Sequence, residues 1–421
     1  MKITLFDPSL VLLVGPSGCG KTTFARRHFK PTEIASSDYY RALISDDEND
    51  QSVTREAFEL LHAVVAKRLA RGKITVVDAT NVKAEARRPL IKLARRYHLP
   101  IIAIVFNLPT EICKERNRRR AERSVPDYVV ERQHDDLQAS LGEIRREGFH
   151  RIYECNGADE AEAAVLERVP LRCDRRAELG PFDIIGDVHG CFDELCALLD
   201  RLEYEFIATQ PSYAIKHADG RRPIFLGDLI TRGPNSLEAL KLVMDVVEAG
   251  AGLCVPGDRE ALLARKLRGR NIALPRDLSE TLEQLENAPP EFRRRAATFI
   301  ERLPSHYLLD GGRLVVAHAG LVEQMQGRSS RQVRTFALYG ETLGEVDGWT
   351  DPRRFGWVAR YTGRALVVYG HTPTPDPEWI NNTINLDTGC VLGGKLTALR
   401  YPEMEIVQVT AQKIYFAPPS R

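Results

Sequence analysis

The chain has 421 residues, enough for two hydrophobic cores, and its 43% hydrophobic and 28% charged residues are typical of an ordinary soluble protein. Its 59 basic and 58 acidic residues leave a formal charge of +1, which excludes a global attraction to polyanions, so a nucleic-acid site would be a local patch such as residues 114–123. Eight cysteines without a C-x-x-C pair argue against a disulfide scaffold or a cysteine-ligated zinc site. The early apolar run at residues 10–14 is too short for a signal or a membrane span, so we expect a cytoplasmic protein without a membrane partner.

Short β-branched runs alternate with amphipathic helical stretches from residue 10 to about residue 169, which indicates β-α units around a parallel sheet. The predicted strands cover residues 10–14, 33–36, 73–78 and 101–107, and the predicted helices cover residues 53–70 and 85–97. A polar stretch with proline near both ends, residues 169–181, then breaks the periodicity. We therefore predict an α/β domain over residues 1–170, a linker over residues 171–181 and a second domain over residues 182–421.

The first predicted strand leads into a segment that fits G-x-x-x-x-G-K-T and precedes a helix, which is the sequence context of a P-loop. Its backbone N–H groups and the helix N-terminus bind phosphates, Lys21 reaches the terminal phosphates and Thr22 holds Mg²⁺. The predicted nucleotide contacts are Gly15, Ser17, Gly18, Gly20, Lys21, Thr22 and Thr23. The motif predicts ATP and Mg²⁺ as cofactors of a kinase; the alternative is a glycine-rich turn without nucleotide.

Two later segments indicate where the phosphate acceptor binds. Asp38 follows the second predicted strand, where it can accept the proton of an acceptor hydroxyl, and Arg41 can bind a phosphate of the acceptor. The alternative for Asp38 is a helix N-cap. Arg116, Arg120 and Arg123 share one helical face and can close over the transferring phosphoryl group, unless they form a solvated basic face. Asp78, after the third strand, is a further candidate near Mg²⁺.

In the second half, which begins with a predicted strand at residues 182–185, Asp or His stands in a glycine-rich turn after an apolar strand five times. The segments are residues 186–190, 227–229, 257–260, 317–320 and 369–372. They predict two divalent cations, Mn²⁺, Fe or Zn²⁺ with Mn²⁺ preferred, that polarise a phosphate and activate the attacking water. The predicted ligands are Asp187, His189, Asp228 as the bridge, Asp258, His318 and His371. Arg232 is predicted to hold phosphate oxygens; a structural role for the ligands and a surface position for Arg232 are the alternatives.

Several ordered segments support a resemblance over nearly the whole chain. They are SSDYYRALISDDENDQS, VVDATN, GPFDIIGDVHGC, VVAHAG, VVYGHTP and NNTINLDTGCVLGGKLTALRYP. With them the chain resembles the bacterial polynucleotide kinase-phosphatases, a family of RNA end-healing enzymes. The resemblance implies an α/β P-loop kinase-like parallel-sheet domain followed by a calcineurin-like metallophosphoesterase αββα sandwich.

The same resemblance implies roles for single residues. Asp38 would be the general base on a 5′-hydroxyl, Arg41 would contact the acceptor's phosphate, Arg116 and Arg120 would belong to a lid, and Asp387 would join the phosphatase site. It also implies transfer of the ATP γ-phosphate to a 5′-OH end, and removal of phosphate from 3′ or 2′,3′-cyclic ends.

Partners follow from the resemblance as well. RNA ends are the implied substrates, with DNA as the alternative. Family members continue into a ligase-like module, whereas this chain stops at Arg421. We therefore expect a separate ligase and an RNA 3′-end methyltransferase as partners, or a truncated chain.

Three positions depart together from the family's G-D-x-x-D-R-G and G-N-H-E motifs, where this chain has Thr231, Asp258 and Arg259. The usual Asp at position 231 and His at position 259 form a pair that can protonate the leaving group. Arg259 cannot supply a proton near neutral pH, which leaves it a substrate-binding role. We expect weak phosphomonoesterase activity, a preference for activated or cyclic esters, and a poorer Lewis acid beside the extra charge of Asp258.

Two rival interpretations stay open. One is a small-molecule kinase fused to a nucleotide phosphodiesterase, since both folds serve many substrates. The other is a kinase whose second domain only binds or senses RNA ends. Asp38, Arg41 and the lid arginines favour a polynucleotide acceptor over the first rival, while Thr231 and Arg259 keep the second rival open.

Overall fold

A computed structural model describes residues 1–119, 125–209, 212–341 and 356–417 of the chain. It divides into two compact units, one of residues Met1–Leu171 with Arg328–Ser330 and one of residues Arg172–Gly327 with Arg331–Arg421. Among these described residues we find no helix with the length and apolar character needed to span a bilayer. Arg120 and Arg123, two of the predicted lid arginines, lie outside the described residues.

The first unit has a central sheet of five parallel strands in the order β3-β4-β2-β5-β6, and a separate parallel pair of β1 with β7. The strands are β1 (Lys2–Asp7), β2 (Leu10–Val14), β3 (Ile34–Ser36), β4 (Thr75–Asp78), β5 (Ile101–Phe106), β6 (Arg151–Cys155) and β7 (Val165–Pro170). The helices are α1 (Lys21–His28), α2 (Ser37–Ser45), α3 (Thr54–Ala70), α4 (Ala84–Arg96), α5 (Thr110–Arg118), α6 (Asp127–Ile144) and α7 (Ala158–Glu162).

Strand β2 shows why this sheet forms. All five of its residues are buried, because a parallel sheet between helices is covered on both faces. Leu10, Leu12 and Val14 pack in one hydrophobic cluster with helices α3, α4 and α6, while Val11 and Leu13 pack in another with α1 and β1. The predicted strands and helices lie within two residues of those observed, and the predicted P-loop α/β fold is confirmed.

The second unit contains two five-stranded sheets, ordered β12-β11-β8-β18-β19 and β13-β14-β15-β17-β16, and a short β9-β10 hairpin. The strands are β8 (Phe182–Ile185), β9 (Tyr204–Ala208), β10 (Ala214–His217), β11 (Arg222–Phe225), β12 (Leu253–Cys254), β13 (Tyr307–Leu309), β14 (Leu314–Val316), β15 (Leu366–Tyr369), β16 (Glu378–Ile380), β17 (Thr383–Asn385), β18 (Lys395–Tyr401) and β19 (Glu405–Thr410). The helices are α8 (Phe192–Arg201), α9 (Ser236–Glu248), α10 (Asp258–Leu267), α11 (Arg276–Glu286), α12 (Pro290–Arg302), α13 (Arg331–Tyr339) and α14 (Gly356–Ala359).

The two sheets pack face to face. Ile184 of β8 and Val368 of β15 lie in one cluster built from both sheets. The next side chain along β8, Ile185, points to the opposite face and packs with helices α8, α9, α10 and α12. Val367 of β15 likewise packs with α13 and α14. This arrangement of helix, sheet, sheet and helix confirms the predicted αββα sandwich.

Candidate functional site

The P-loop joins β2 to α1 in the first unit, and glycine permits its path. Gly18 and Gly20 have φ of +80° and +99°, a region that side chains other than glycine seldom adopt. The Nζ of Lys21 donates hydrogen bonds to the carbonyl oxygens of Gly15 and Pro16 at 2.8 and 2.7 Å. The loop therefore curls around a buried ammonium group.

Two further contacts fix the P-loop. The N–H of Gly15 donates to the carbonyl oxygen of Thr80, just beyond β4, at 2.9 Å. The N–H of Ser17 donates to Oε1 of Gln133 on α6 at 2.7 Å. The Gly-Lys-Thr end of the motif leaves Thr22 half-buried and Thr23 exposed at the start of α1.

Asp38 and Arg41 lie on the first turn and a half of α2 and form an ion pair through Oδ1 and Nη2. Arg41 is only 4% exposed, and its Nε donates to the carbonyl oxygen of Glu48 at 3.0 Å. Burial lowers the pKa of Arg41 from its ordinary value. The structure thus places Arg41 against Asp38, where it holds the carboxylate in position.

Asp78 ends β4 and is buried, in register with Leu13 of β2 and Ser36 of β3. Because these parallel strands end at the same edge of the sheet, Asp78 lies at the edge that carries the P-loop and Asp38. Arg116 of α5 is also at this edge: its Nη1 lies 3.5 Å from the position that a Cβ on Gly20 would take. Its Nη2 donates to Oε1 of Glu162 at 3.2 Å.

In the second unit, six predicted residues follow the ends of six strands. Strands β8, β11 and β12 are parallel neighbours in one sheet, and β14, β15 and β17 are parallel neighbours in the other. Their carboxyl ends therefore lie side by side, and the residues just beyond them converge. In chain order these residues are Asp187, Asp228, Asp258, His318, His371 and Asp387, with His189 two positions after Asp187.

The structure brings the predicted ligands together in two groups that share Asp228. One group contains Asp187, His189 and Asp228, the other Asp228, Asp258, His318 and His371, and the ligand atoms within each group lie within 4.8 Å of one another. A shared carboxylate between two groups is the arrangement of a two-cation centre.

Hydrogen bonds set the orientation of two of the histidines. Nδ1 of His189 donates to the carbonyl oxygen of Ile230 at 3.1 Å, which turns Nε2 toward Asp228. Nδ1 of His318 donates to the carbonyl oxygen of Leu226 at 2.9 Å, and its Nε2 lies 3.5 Å from Oδ1 of Asp228. Both rings are thus held at Nδ1 by a backbone carbonyl and direct Nε2 toward the bridging carboxylate, the orientation of a metal-ligating histidine.

Buried carboxylate oxygens show that the group fits divalent cations. Within the part of the chain that the structure describes, Oδ1 of Asp187, Asp228 and Asp258 makes no hydrogen bond although it is buried. A Cβ added to Gly257 would lie 2.1 Å from Oδ1 of Asp228, and one added to Gly370 would lie 2.1 Å from Oδ1 of Asp187. Asp187 and Asp228 therefore rest on glycine backbone, and each of the three carboxylates has an unsatisfied oxygen, as is expected of ligands to a hard cation.

The electrostatics agree with this interpretation. Burial raises the pKa of Asp228 to about 6, although His318 favours its ionised form. Burial, reinforced by the charges of Asp387 and Asp228, holds the pKa of Asp187 well above its ordinary value, and burial also raises the pKa of Asp387 to about 6. Burial and the nearby Arg232 keep the pKa of His189 well below its usual range. Such crowded buried carboxylates need a positive charge among them.

Arg232 and Arg259 flank the two groups. Nη1 of Arg232 lies 3.0 Å from Nε2 of His189, and Nη1 of Arg259 donates to Oδ2 of Asp258 at 2.7 Å. Thr231 and Arg232 have φ of +82° and +66°. This conformation is strained for Thr231, which is β-branched, and such strain is typical of functional sites. The Thr231 hydroxyl lies 3.3 Å from Nδ1 of His189.

Two residues of this site, Glu260 and Asp277, were not identified from the sequence. Glu260, 1% exposed, accepts hydrogen bonds from the N–H groups of Gly257, Asp228 and Leu229 at 2.8 to 2.9 Å, and so shapes the turn that carries Asp228. Its position three residues after the N-cap Gly257 is the capping-box spacing, a signal that could have found it. Asp277 of α11 contacts both flanking arginines, and no motif marks it.

Fold and site together are those of a phosphoesterase domain with two candidate cation-binding groups, preceded in the chain by a P-loop domain. The AAA domain family matches residues 10–144, and the calcineurin-like phosphoesterase family matches residues 180–407. The latter covers more than half of the chain, which therefore belongs to the calcineurin-like phosphoesterase family.

Relatives match slightly more than half of the chain. The bis(5′-nucleosyl)-tetraphosphatase PrpE (asymmetrical) of Anoxybacillus flavithermus is 42% identical over 240 residues, 56% of this chain and 96% of the relative. The protein of the same name from Geobacillus sp. strain WCH70 is 43% identical over 237 residues, 55% of this chain and 95% of the relative. A crystal structure of a candidate diadenosine tetraphosphatase aligns at 23% identity and a TM-score of 0.41, covering 56% of this chain and 96% of its own. The resemblance to polynucleotide kinase-phosphatases in particular stays a prediction.

Proposed function

We propose that the second unit is a metal-dependent hydrolase of nucleotide phosphoanhydrides, of the kind named by its tetraphosphatase relatives, and that 2′,3′-cyclic phosphates are its secondary substrates. The observation that carries this proposal is the convergence of two ligand groups on Asp228, with buried carboxylate oxygens that make no hydrogen bond in the described part of the chain. Divalent cations bound there, Mn²⁺ by preference, supply Lewis-acid polarisation of the phosphoryl group.

The choice of substrate follows from the leaving group. Positions 231 and 259 carry Thr and Arg, and neither side chain is an acid near neutral pH. A ribose hydroxyl leaves poorly without a proton, whereas a nucleoside polyphosphate, whose terminal phosphate has a pKa of about 6, leaves as a stable anion. The site therefore favours anhydrides over the 3′-phosphomonoesters of RNA ends.

Side chains of the site have distinct tasks in this reaction. Arg232 and Arg259 bind the phosphate oxygens and offset their charge. His189, His318 and the carboxylate of Asp228 would hold the cations, and Glu260 keeps the Asp228 turn in shape.

The experiment compares three substrates with the Mn²⁺-loaded full chain: diadenosine tetraphosphate, a 2′,3′-cyclic nucleotide and an RNA 3′-phosphate. We expect kcat/KM to fall in that order, and Asp187→Ala to abolish all hydrolysis. Asp376→Ala, which removes an exposed carboxylate paired with Lys395, is the matched control. Fastest release of phosphate from the RNA 3′-end would refute the proposal.

For the first unit we propose transfer of the ATP γ-phosphate to a 5′-hydroxyl end of RNA, with DNA as the alternative acceptor. The pairing of Asp38 with Arg41 at the sheet edge that carries the P-loop supports it. In this arrangement Asp38 accepts the proton of the attacking hydroxyl, and Lys21 and Thr22 hold the nucleotide phosphates and Mg²⁺. We propose a separate ligase and an RNA 3′-end methyltransferase as partners in the same RNA end repair.

The test is transfer of labelled γ-phosphate from ATP to 5′-OH oligonucleotides, RNA and DNA side by side, with free nucleosides as a third acceptor. Lys21→Ala and Asp38→Ala should each abolish labelling, while Asp50→Ala, an exposed carboxylate bonded to Ser52, should not. Labelling of nucleosides alone would replace the polynucleotide acceptor with a small molecule. A folded protein that labels none of them would contradict the kinase assignment.

A further inference from the structure

Asp277 makes a contact that has no part in the proposed hydrolysis. Its Oδ2 accepts a hydrogen bond from Nε of Arg232 at 3.0 Å and another from Nε of Arg259 at 3.1 Å. One carboxylate oxygen of α11 thus joins two guanidinium groups that come from two different turns of the site. Since each Nε lies that close to a single oxygen, the two guanidinium groups are near neighbours.

The three side chains form a fixed unit. Their exposed fractions are 6% for Arg232, 18% for Arg259 and 9% for Asp277. The guanidinium carbon of Arg232 also lies 5.6 Å from the ring centre of Phe416, which supports it from a further side. The shared hydrogen bonds to Asp277 and the contact with Phe416 hold the two arginine side chains in one orientation. The arginines are therefore in place before a substrate binds.

The direction of the remaining donors shows what the unit can bind. Both arginines donate a hydrogen bond from Nε to Asp277. Their Nη1 groups lie next to the candidate cation ligands, that of Arg232 beside His189 and that of Arg259 beside Asp258. The pair therefore extends along both halves of the two-cation centre. Asp277 and Asp258 each set one negative charge beside the two guanidinium groups, and the cations bound at the centre would add positive charge for an anion.

We propose that Asp277 is a positioning residue that presents Arg232 and Arg259 as a clamp for two consecutive phosphoryl groups. The clamp makes the second unit selective for nucleoside polyphosphates over esters that carry one phosphoryl group. This inference rests on the proposed function and deepens it, because it names the feature of the substrate that the site recognises. One guanidinium group suits one phosphoryl group, and two at this spacing suit an uninterrupted polyphosphate chain.

The kinetic test compares wild type with Asp277→Asn on two substrates with acidic leaving groups. Diadenosine tetraphosphate offers consecutive phosphoryl groups, and bis(p-nitrophenyl) phosphate offers one. We expect Asp277→Asn to raise KM for diadenosine tetraphosphate about tenfold, because one charge-assisted contact is lost. KM for bis(p-nitrophenyl) phosphate should change less than about twofold. Equal changes for both substrates would show a merely structural role and overturn the clamp.

Asp245→Asn is the matched control, because Asp245 is a buried carboxylate of the same unit that pairs with Arg295 and accepts the N–H of Tyr213. It should leave the KM ratio of the two substrates unchanged. Asp277→Glu, which keeps the charge, should restore part of the selectivity. Should Asp277→Asn fold poorly, Arg259→Gln tests the same clamp and should raise the same KM.

A binding measurement separates failure of the clamp from failure of the proposed function. A methylene-bridged diadenosine tetraphosphate is titrated into the full chain with Lys21→Ala, which removes the P-loop as a second nucleotide site, with Mn²⁺ in constant excess. Adding Asp277→Asn should weaken binding about tenfold. If wild type binds but does not hydrolyse, the clamp stands and the proposed function falls; if hydrolysis is intact and Asp277→Asn binds as tightly, the clamp falls alone.

Discussion

Asp258 and Arg259 are neighbours in the chain at the start of α10, and Nη1 of Arg259 donates to Oδ2 of Asp258 at 2.7 Å. Burial alone would raise the pKa of Asp258, but His371 and Arg259 outweigh it and lower the pKa. The sequence led us to expect that the carboxylate would weaken a nearby cation as a Lewis acid. That expectation took the charge as uncompensated, whereas Arg259 offsets it, so the two departures at positions 258 and 259 act together.

The first prediction restores a proton donor. Thr231→Asp with Asp258→Asn and Arg259→His should raise phosphate release from an RNA 3′-phosphate by about 10² or more, since a positioned acid contributes that much. Thr231→Asp also suits the left-handed backbone better than a β-branched residue does. Phosphate release under saturating Mn²⁺ is the measurement.

Adding Asp187→Ala to this triple variant should return it to background, which shows that the gain belongs to the same site. A triple variant that binds cations normally but gains nothing would mean that proton donation is not what positions 231 and 259 lack.

A second prediction concerns the glycine beneath the bridging carboxylate. Gly257→Ala places a Cβ 2.1 Å from Oδ1 of Asp228, so the carboxylate must move although the backbone conformation suits alanine. We expect bound Mn²⁺ to fall from about two per chain toward one or none after dialysis. Elemental analysis measures it, with Gly157→Ala, which meets no atom within 4 Å, as the control. A full complement of Mn²⁺ in Gly257→Ala would contradict the placement of Asp228 as the bridge.

The third prediction tests how tightly the P-loop packs. Gly18 combines a φ of +80° with a Cβ position only 2.1 Å from the carbonyl oxygen of Cys113 in α5. Gly18→Ala should lower the free energy of unfolding by about 2 kcal/mol or more and abolish ATP binding, because the backbone must shift. Calorimetric ATP titration and thermal unfolding provide the readouts.

Gly142→Ala in α6 is its counterpart, since an added Cβ there meets nothing within 4 Å. It should be stabilising by up to about 1 kcal/mol through helix propensity. Tight ATP binding by Gly18→Ala would show that the loop does not need the left-handed glycine.

The fourth prediction is a pH dependence of stability. His306 is completely buried; its Nε2 accepts the N–H of Gly327 at 3.0 Å, and its Nδ1 lies 3.2 Å from the Ser305 hydroxyl. Burial lowers the pKa of His306 to about 3. The unfolded chain, with a histidine pKa of about 6.5, therefore binds the proton first as the pH falls, and stability decreases between about pH 6.5 and pH 3 by up to about 1.4 kcal/mol per pH unit.

The measurement is thermal unfolding of wild type and His306→Gln at pH 7, 6 and 5. The variant should lose stability at pH 7 and show a flatter decline toward pH 5. Parallel declines in the two proteins would assign the pH dependence to other groups.

The sequence could predict which candidate cation ligands lie close together, because their signal is local and repeated. Asp187, Asp228 and His371 each lie two or three residues beyond the end of an apolar strand, and parallel strands in a sheet end at one edge, so chain position implies spatial proximity. The same reasoning placed Asp38 at the edge of the first sheet. Arg120 and Arg123 lie outside the described residues, and their place in a lid stays a prediction.

Asp277 shows what such reasoning could not reach. It lies in the first turn of α11, which follows α10 and belongs to no strand-end motif, and an acidic residue in a first helical turn is ordinary. Only the packing of α11 against the turns of Arg232 and Arg259 gives it two cationic partners. The pairing of Arg41 with Asp38 was easier to predict from the sequence, since their spacing of three residues places both on one face of α2.

Glu260 gathers the N–H groups of Gly257, Asp228 and Leu229, and at 3.3 Å also that of Ile230, around one buried carboxylate. A concave set of backbone donors is elsewhere a site for a free anion, but here the carboxyl group of Glu260 occupies it. The turn that carries Asp228 is therefore shaped during folding and does not wait for a cation to order it. We expect cation exchange to be reversible, with rates set by loss of water from the ion and not by rearrangement of the protein.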